Sequence, residues 1–220
     1  LMRARAANSR LLGEAYHRLD QTEDARRALD RAVDLNRAVR DSAPNNPTYI
    51  RNLAISTWYR AVVHRSNGRD AEARASIEES VTNAQALRAR DASDAGAIRM
   101  LAISEEVQAQ VLADLGRFDE SYAVGERVIS AHRDLVSRAE NAPGARRSLA
   151  AALMTHGGNS YNAHQFDRAC AAWIEGRALY RALDRGGQLS ATDRARALAE
   201  AEDFTARACA PPRPGLGDKI

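Results

Sequence analysis

Apolar residues recur along almost the whole chain at spacings of three and four, interrupted only by short polar breaks. The run opened by Asn46-Pro47 puts Ile50, Leu53, Ala54, Trp58, Ala61 and Val62 on one helical face, which Arg65 continues through its stem. Ser66-Asn67-Gly68 ends it. The next run carries Ala73, Ile77, Val81, Ala84 and Leu87 and ends near Asp91-Ala92-Ser93-Asp94. The same pattern predicts helices over about 2–20, 22–41, 95–115, 118–140, 144–163, 166–184 and 190–209. Ser190 is placed to cap the last of these, with Asp193 where a capping box carries Glu. No sustained apolar-polar alternation suggests a strand. Residues 210–220, with three prolines and two glycines, are expected to form a flexible tail.

The helical runs repeat. Ile50-Arg51-Asn52-Leu53-Ala54-Ile55-Ser56 returns 48 residues later as Ile98-Arg99-Met100-Leu101-Ala102-Ile103-Ser104, and more loosely as Arg146-Arg147-Ser148-Leu149-Ala150-Ala151-Ala152. Ala25, Ala73, Ser121 and Ala169 keep the same step of 48. A fixed period without insertions marks a stack of repeated units, which grows by addition and has no single core to saturate. Four helix-turn-helix repeats are expected, over about 1–46, 47–94, 95–142 and 143–189, followed by a capping helix at 190–209, all in one domain.

The segment Leu115-Gly116-Arg117-Phe118-Asp119-Glu120-Ser121 resembles the inter-helix turn of a tetratricopeptide repeat (TPR), and Leu12-Gly13-Glu14-Ala15-Tyr16 resembles its first-helix core. Gly13/Tyr16, Ala61/His64, Ala109/Leu112 and Gly157/Ser160 stand at that family's small and large positions. The resemblance covers about residues 1–184 and implies an all-α, right-handed helical solenoid. The period departs from the family's ~34 residues, adding roughly two turns to each helix. Ala43-Pro44-Asn45-Asn46-Pro47 followed by Leu53-Ala54-Ile55-Ser56 also resembles a long-period bacterial group, often found beside serine/threonine protein kinase domains. The resemblance implies a protein-protein interaction scaffold within a larger bacterial signalling protein. The alternatives are a self-association module, or a small-ligand sensor or enzyme.

Family groove positions, carried over, fall on Arg10, Glu14 and His17; Trp58, Val62 and Arg65; Glu106, Gln110 and Asp114; and Met154, Tyr161 and Asn162. This mixed lining on the first helices suits a peptide or a partner's helix better than a uniform anion. Trp58 has two readings, as a binding anchor and as packing between repeats. Trp173 shares the core slot of Leu29 and Ile77.

Composition narrows the partner. Aromatic residues are 5 % of the chain, and the formal net charge is +3. Lys219 is the only lysine, and the arginines alternate with Asp and Glu rather than forming the basic stripe that nucleic acid requires. No apolar run approaches the ~18–20 residues of a membrane span. No cofactor motif, kinase motif, HExxH or nucleophile constellation is present, and the five histidines share no repeat position. The chain is therefore expected to be non-catalytic and to bind no metal. It begins within a helical pattern, with no secretory signal, and reads as part of a longer protein.

Cys170 and Cys209 lie symmetrically about position 189.5, and the repeat register centres the last turn at about 189. If the final two helices form an antiparallel hairpin, the cysteines face each other. They form either a disulfide or two buried thiols, and a bridge would favour a periplasmic over a cytoplasmic location.

Overall fold

The computed structural model describes residues 1–139 and 142–209, and among these every regular element is a helix. The expected tail at 210–220 lies outside the described residues, as do the last expected position of the sixth helix (140) and its neighbour 141. The helices are α1 (Met2–Arg18), α2 (Thr22–Ser42), α3 (Pro47–Ser66), α4 (Asp70–Arg90), α5 (Ala95–Asp114), α6 (Phe118–Arg138), α7 (Pro143–Asn162) and α8 (Phe166–Arg185). A last helical segment follows as α9 (Ala191–Asp193), a π-helical stretch (Arg194–Leu198) and α10 (Ala199–Ala208). The period is kept to the residue: α3, α5 and α7 start 48 apart, and so do α2, α4, α6 and α8.

One backbone device turns each hairpin. Asp20, Gly68, Gly116 and His164, again 48 apart, take positive φ of 57°, 65°, 72° and 58°. Glycine adopts this conformation without Cβ strain, and the aspartate and histidine accept it at some cost. The next residue's N–H then reaches back to the helix, as in Arg69 N to His64 O (3.0 Å) and Gln165 N to Ser160 O (2.9 Å). These bonds satisfy carbonyls that the helix end leaves open. At the starts, Asn46 accepts from Thr48 N, Asp94 from Gly96 N and Ser190 from Asp193 N.

The chain divides into two compact units, Leu1–Ala131 and His132 onward, with the boundary inside α6. In the first unit, Ala25 and Leu29 of α2 pack with Val63 of α3. Ile50 and Ala54 of α3, Ala84 and Leu87 of α4, and Ala97 and Met100 of α5 form a second cluster. Ala61, Ala73, Ile77, Val81, Val107 and Val111 form a third. Two buried hydroxyls here are matched: Ser80 Oγ meets both Ala54 O and Ser104 Oγ at 2.9 Å, and Ser121 Oγ donates to Ala109 O at 2.7 Å. That last bond explains how serine holds a slot filled elsewhere by alanine.

In the second unit, Ala150, Tyr180, Leu183, Leu189 and Ala201 form the core. Cys170 and Cys209 are joined as a disulfide with Cα atoms 5.3 Å apart, tying the start of α8 to the end of α10. Trp173 is buried, and its Nε1 donates to Met154 O at 3.1 Å. A Cβ on Gly157 would lie 2.4 Å from the Trp173 ring, whereas one on Gly158 would meet nothing within 4 Å.

Two predictions follow from this packing. Gly157→Ala gains about 1 kcal/mol of helix propensity but forces a buried indole to move, at roughly 1–3 kcal/mol. Urea denaturation should therefore show it destabilised, and the adjacent Gly158→Ala stabilised by up to about 1 kcal/mol. The second concerns His64, which is buried, with Nδ1 making no hydrogen bond. Burial, then the nearby Arg69 charge, lowers its pKa from 6.5. The unfolded chain then binds the extra proton first, so this contribution to stability is full above pH 6.5 and declines as pH falls below it. An NMR titration should place the His64 imidazole below 6.5, and the thermal midpoint should drop on acidification through that value.

Candidate functional site

Helices α1, α3 and α5 place their first-helix side chains along one cleft of about 460 Å³. Its apolar lining is Ile55, Trp58, Met100 and Ile103, and its polar lining includes Arg10, Arg51, Arg99 and Tyr59. The helix period accounts for the grouping. Arg51 and Ile55 are four residues apart on α3, Arg99 and Ile103 four apart on α5, so each pair shares a face.

The rim is electrostatically uneven. Arg10 pairs with Glu14 and stands over the Tyr59 ring, 5.7 Å from its centroid. Burial and a hydrogen bond to Glu14 push the Tyr59 phenol above its usual pKa. Arg51 Nη2 donates to Asp94 Oδ2 at 3.0 Å, an approach that Gly96 permits, since a Cβ there would lie 2.7 Å from Arg51 Nη1. Asp94 is held below the ordinary carboxylate range, first by the Gly96 N–H and further by Arg51. Arg99 is exposed, with no hydrogen bond or ion pair to any described residue. Three guanidinium groups thus face two carboxylates.

Of the twelve groove residues expected from the sequence, Arg10 and Trp58 meet in this cleft. Trp58 is half-buried against α4 and α5, and its Nε1 donates to Ile103 O at 3.0 Å. Val62 is half-buried beside the same cluster as Ala61 and Val107. Arg65 and Asp114 meet each other, Nε to Oδ2 at 2.6 Å, which bridges α3 to α5. Glu14 is engaged with Arg10. His17, Glu106 and Gln110 are half-buried on the same three helices.

The remaining three lie in the second unit. Met154 packs beside Ala150 and Tyr180. Tyr161 and Asn162 line a separate cavity of about 270 Å³ with Gly158, Trp173, Phe204 and Arg207. There Trp173 lies between Tyr161 and Phe204, with ring centroids 5.5 and 5.2 Å away. Among the described residues no group of three or more His, Cys, Asp or Glu could hold a metal ion, and no helix is long and apolar enough to cross a membrane.

The sequence reading missed Arg51, Ile55, Tyr59, Arg99, Met100 and Ile103. A signal was available. Arg51/Ile55 and Arg99/Ile103 belong to the repeated motif itself, and a motif that marks a period also marks a shared surface when its members are polar and half-exposed.

Among comparisons with known proteins, one solved structure bears on this architecture. No protein-family model matches the chain, and no curated protein does. Among solved structures, a putative kinesin light chain of P. anserina with nearly identical TPR-like repeats superposes with a TM-score of 0.51 at 17 % identity, over 94 % of this chain and 97 % of that one. BtubC (BKLC) of P. vanneervenii gives a TM-score of 0.43 at 17 % identity, over 90 % of this chain and 97 % of its own. The first likeness shows the fold: this is a TPR-like helical repeat protein.

The role of Trp58 can be read from stability. Trp58→Ala removes a half-buried indole from between α3 and α5 and should cost about 2–4 kcal/mol. Trp58→Phe keeps the ring contacts, loses one hydrogen bond and should cost about 1 kcal/mol. Urea midpoints for the two variants check this ordering.

Proposed function

We propose that this chain is a protein-interaction scaffold whose cleft on α1, α3 and α5 holds an extended peptide or helix of a partner protein. The TPR-like repeat fold supports a scaffold in general. The carrying observation is the cleft: an apolar floor of Ile55, Trp58, Met100 and Ile103 beside Arg10, Arg51 and Arg99.

Its chemistry selects the partner. An aliphatic or aromatic side chain gains by covering the floor, since each Å² removed from water contributes roughly 25 cal/mol. A carboxylate within reach of Arg99 meets an arginine that has no partner among the described residues. An acidic peptide with an embedded apolar residue satisfies both. Binding here is passive: the helices hold the side chains in place before the ligand arrives, so little ordering entropy is lost. The long-period loop and helix-start pattern supports a place within a larger bacterial signalling chain, such as a serine/threonine kinase.

The test is selection of random phage-displayed peptides on the immobilised chain, followed by fluorescence anisotropy. Enriched sequences should carry Asp or Glu beside an apolar residue and bind more weakly as salt is raised. Arg99→Glu should weaken them at least tenfold, about 1.4 kcal/mol, while leaving the fold intact. Equal binding by Arg99→Glu, or enrichment without acidic residues, removes the assignment.

A further inference from the structure

Helix α1 carries an apolar face that no described residue covers. Its inner side is buried at Ala6, Ser9 and Gly13, the last so close to α2 that a Cβ there would lie 2.5 Å from Leu29 Cγ. Its outer side presents Ala4, Leu11, Leu12 and Ala15, with Asn8 among them, and Leu19 at its C-cap continues the line, at spacings of one, three and four. Leu11 is 53 % exposed, Leu12 52 % and Leu19 67 %. Isolated exposed leucines are ordinary, but a stripe along one helix is not.

The repeat register says what such a face receives. Asn8, Leu11 and Ala15 correspond to Ser56, Tyr59 and Val63 of α3, and to Ser104, Val107 and Val111 of α5. In α3, Ser56 Oγ accepts from Asn36 Nδ2 of α2 at 2.8 Å, and Val63 packs with Ala25 and Leu29 of α2. In α5, Ser104 shares a hydrogen bond with Ser80 of α4, and Val107 and Val111 pack with Ala73, Ile77 and Val81 of α4. In both hairpin junctions of the first unit, these positions seat on the second helix of the hairpin before. A helix that ends a repeat stack carries a polar outer face instead. In the second unit the last helical segment does so, exposing Arg194, Arg196, Glu200 and Arg207. Helix α1 exposes leucines.

We infer that the outer face of α1 is the seat for the second helix of a further repeat hairpin, joined on the same chain. That helix would resemble α2 and α4, with small and aliphatic residues toward Leu11 and Ala15 and one polar side chain toward Asn8. The available area favours this occupant over a second copy of the chain. Helix α1 has 17 residues, so it is about 25 Å long and offers a strip of roughly 250 Å². A stable dimer buries about 800 Å² per partner. A tethered hairpin needs far less, because the linkage itself supplies an effective concentration in the millimolar range.

The test extends the chain with a copy of its own residues 1–48 placed ahead of Leu1, which keeps the 48-residue step, so that a second α2 reaches α1. Amide hydrogen exchange in the original α1 should slow at least tenfold. Leu11→Glu with Ala15→Glu should abolish that slowing, while barely moving the unfolding midpoint of the unextended chain, where both side chains are exposed. Exchange unchanged by the extension overturns the inference, and so does slowing that survives the two glutamates. Light scattering provides a further check on the unextended chain. Concentration-dependent dimers that Leu11→Glu dissolves would give the face to a second copy and overturn the hairpin.

Discussion

Close approach between paired helices is the constraint on which the structure depends. Ala25, Ala73, Ser121 and Ala169 are all buried, and facing them are Gly13, Ala61, Ala109 and Gly157. Small residues on both sides let the backbones come near enough for Leu29 or Trp173 to lie where a Cβ would otherwise be. Once that distance is set, both helices of a hairpin must have fixed lengths, because one extra residue would rotate every later side chain by about 100°. The uninterrupted step of 48 and the left-handed residue ending each first helix meet this requirement.

The same regularity builds the cleft. Residues at one repeat position are carried to equivalent places on successive first helices, so Arg51 and Arg99, or Ile55 and Ile103, flank a common space. Their environments then diverge. Arg51 is held by Asp94, Arg10 by Glu14, and Arg99 by neither. Arg65 and Asp114 would be attractive ligand contacts if considered separately, but each neutralises the other. Many charges of the first unit pair within one helix, as Arg10 does with Glu14, and others bridge helices, as in the Arg37–Glu79–Arg60 group between α2, α4 and α3. A charge in neither kind of pair, such as Arg99, keeps its full field at the surface.

Helix content, the hairpin turns, the buried small positions and the TPR-like fold were legible because each rests on a local pattern: periodicity, turn chemistry, or recurrence at a fixed step. The π-helical stretch at Arg194–Leu198 was not, since it carries none of the usual helix-breaking residues. The cleft was half legible. Arg10 and Trp58 were found through the family's groove positions, whereas Arg51, Arg99 and the two isoleucines were passed over as period markers. Trp58 lines the cleft and packs between α3 and α5, the second of its two sequence readings.

By itself, then, the sequence determined which residues are helical, where the chain turns, and which positions recur on a common face. Those properties depend on neighbours within a few residues, or on a step that can be counted. Which arginines are spent on internal carboxylates, which are left over, and whether an apolar stripe has a helix against it were decided only by the tertiary structure. These depend on distances between residues some 40 to 50 positions apart, such as Arg51 to Asp94 or Arg65 to Asp114, and a repeat period gives the register of such pairs without saying which side chains will meet.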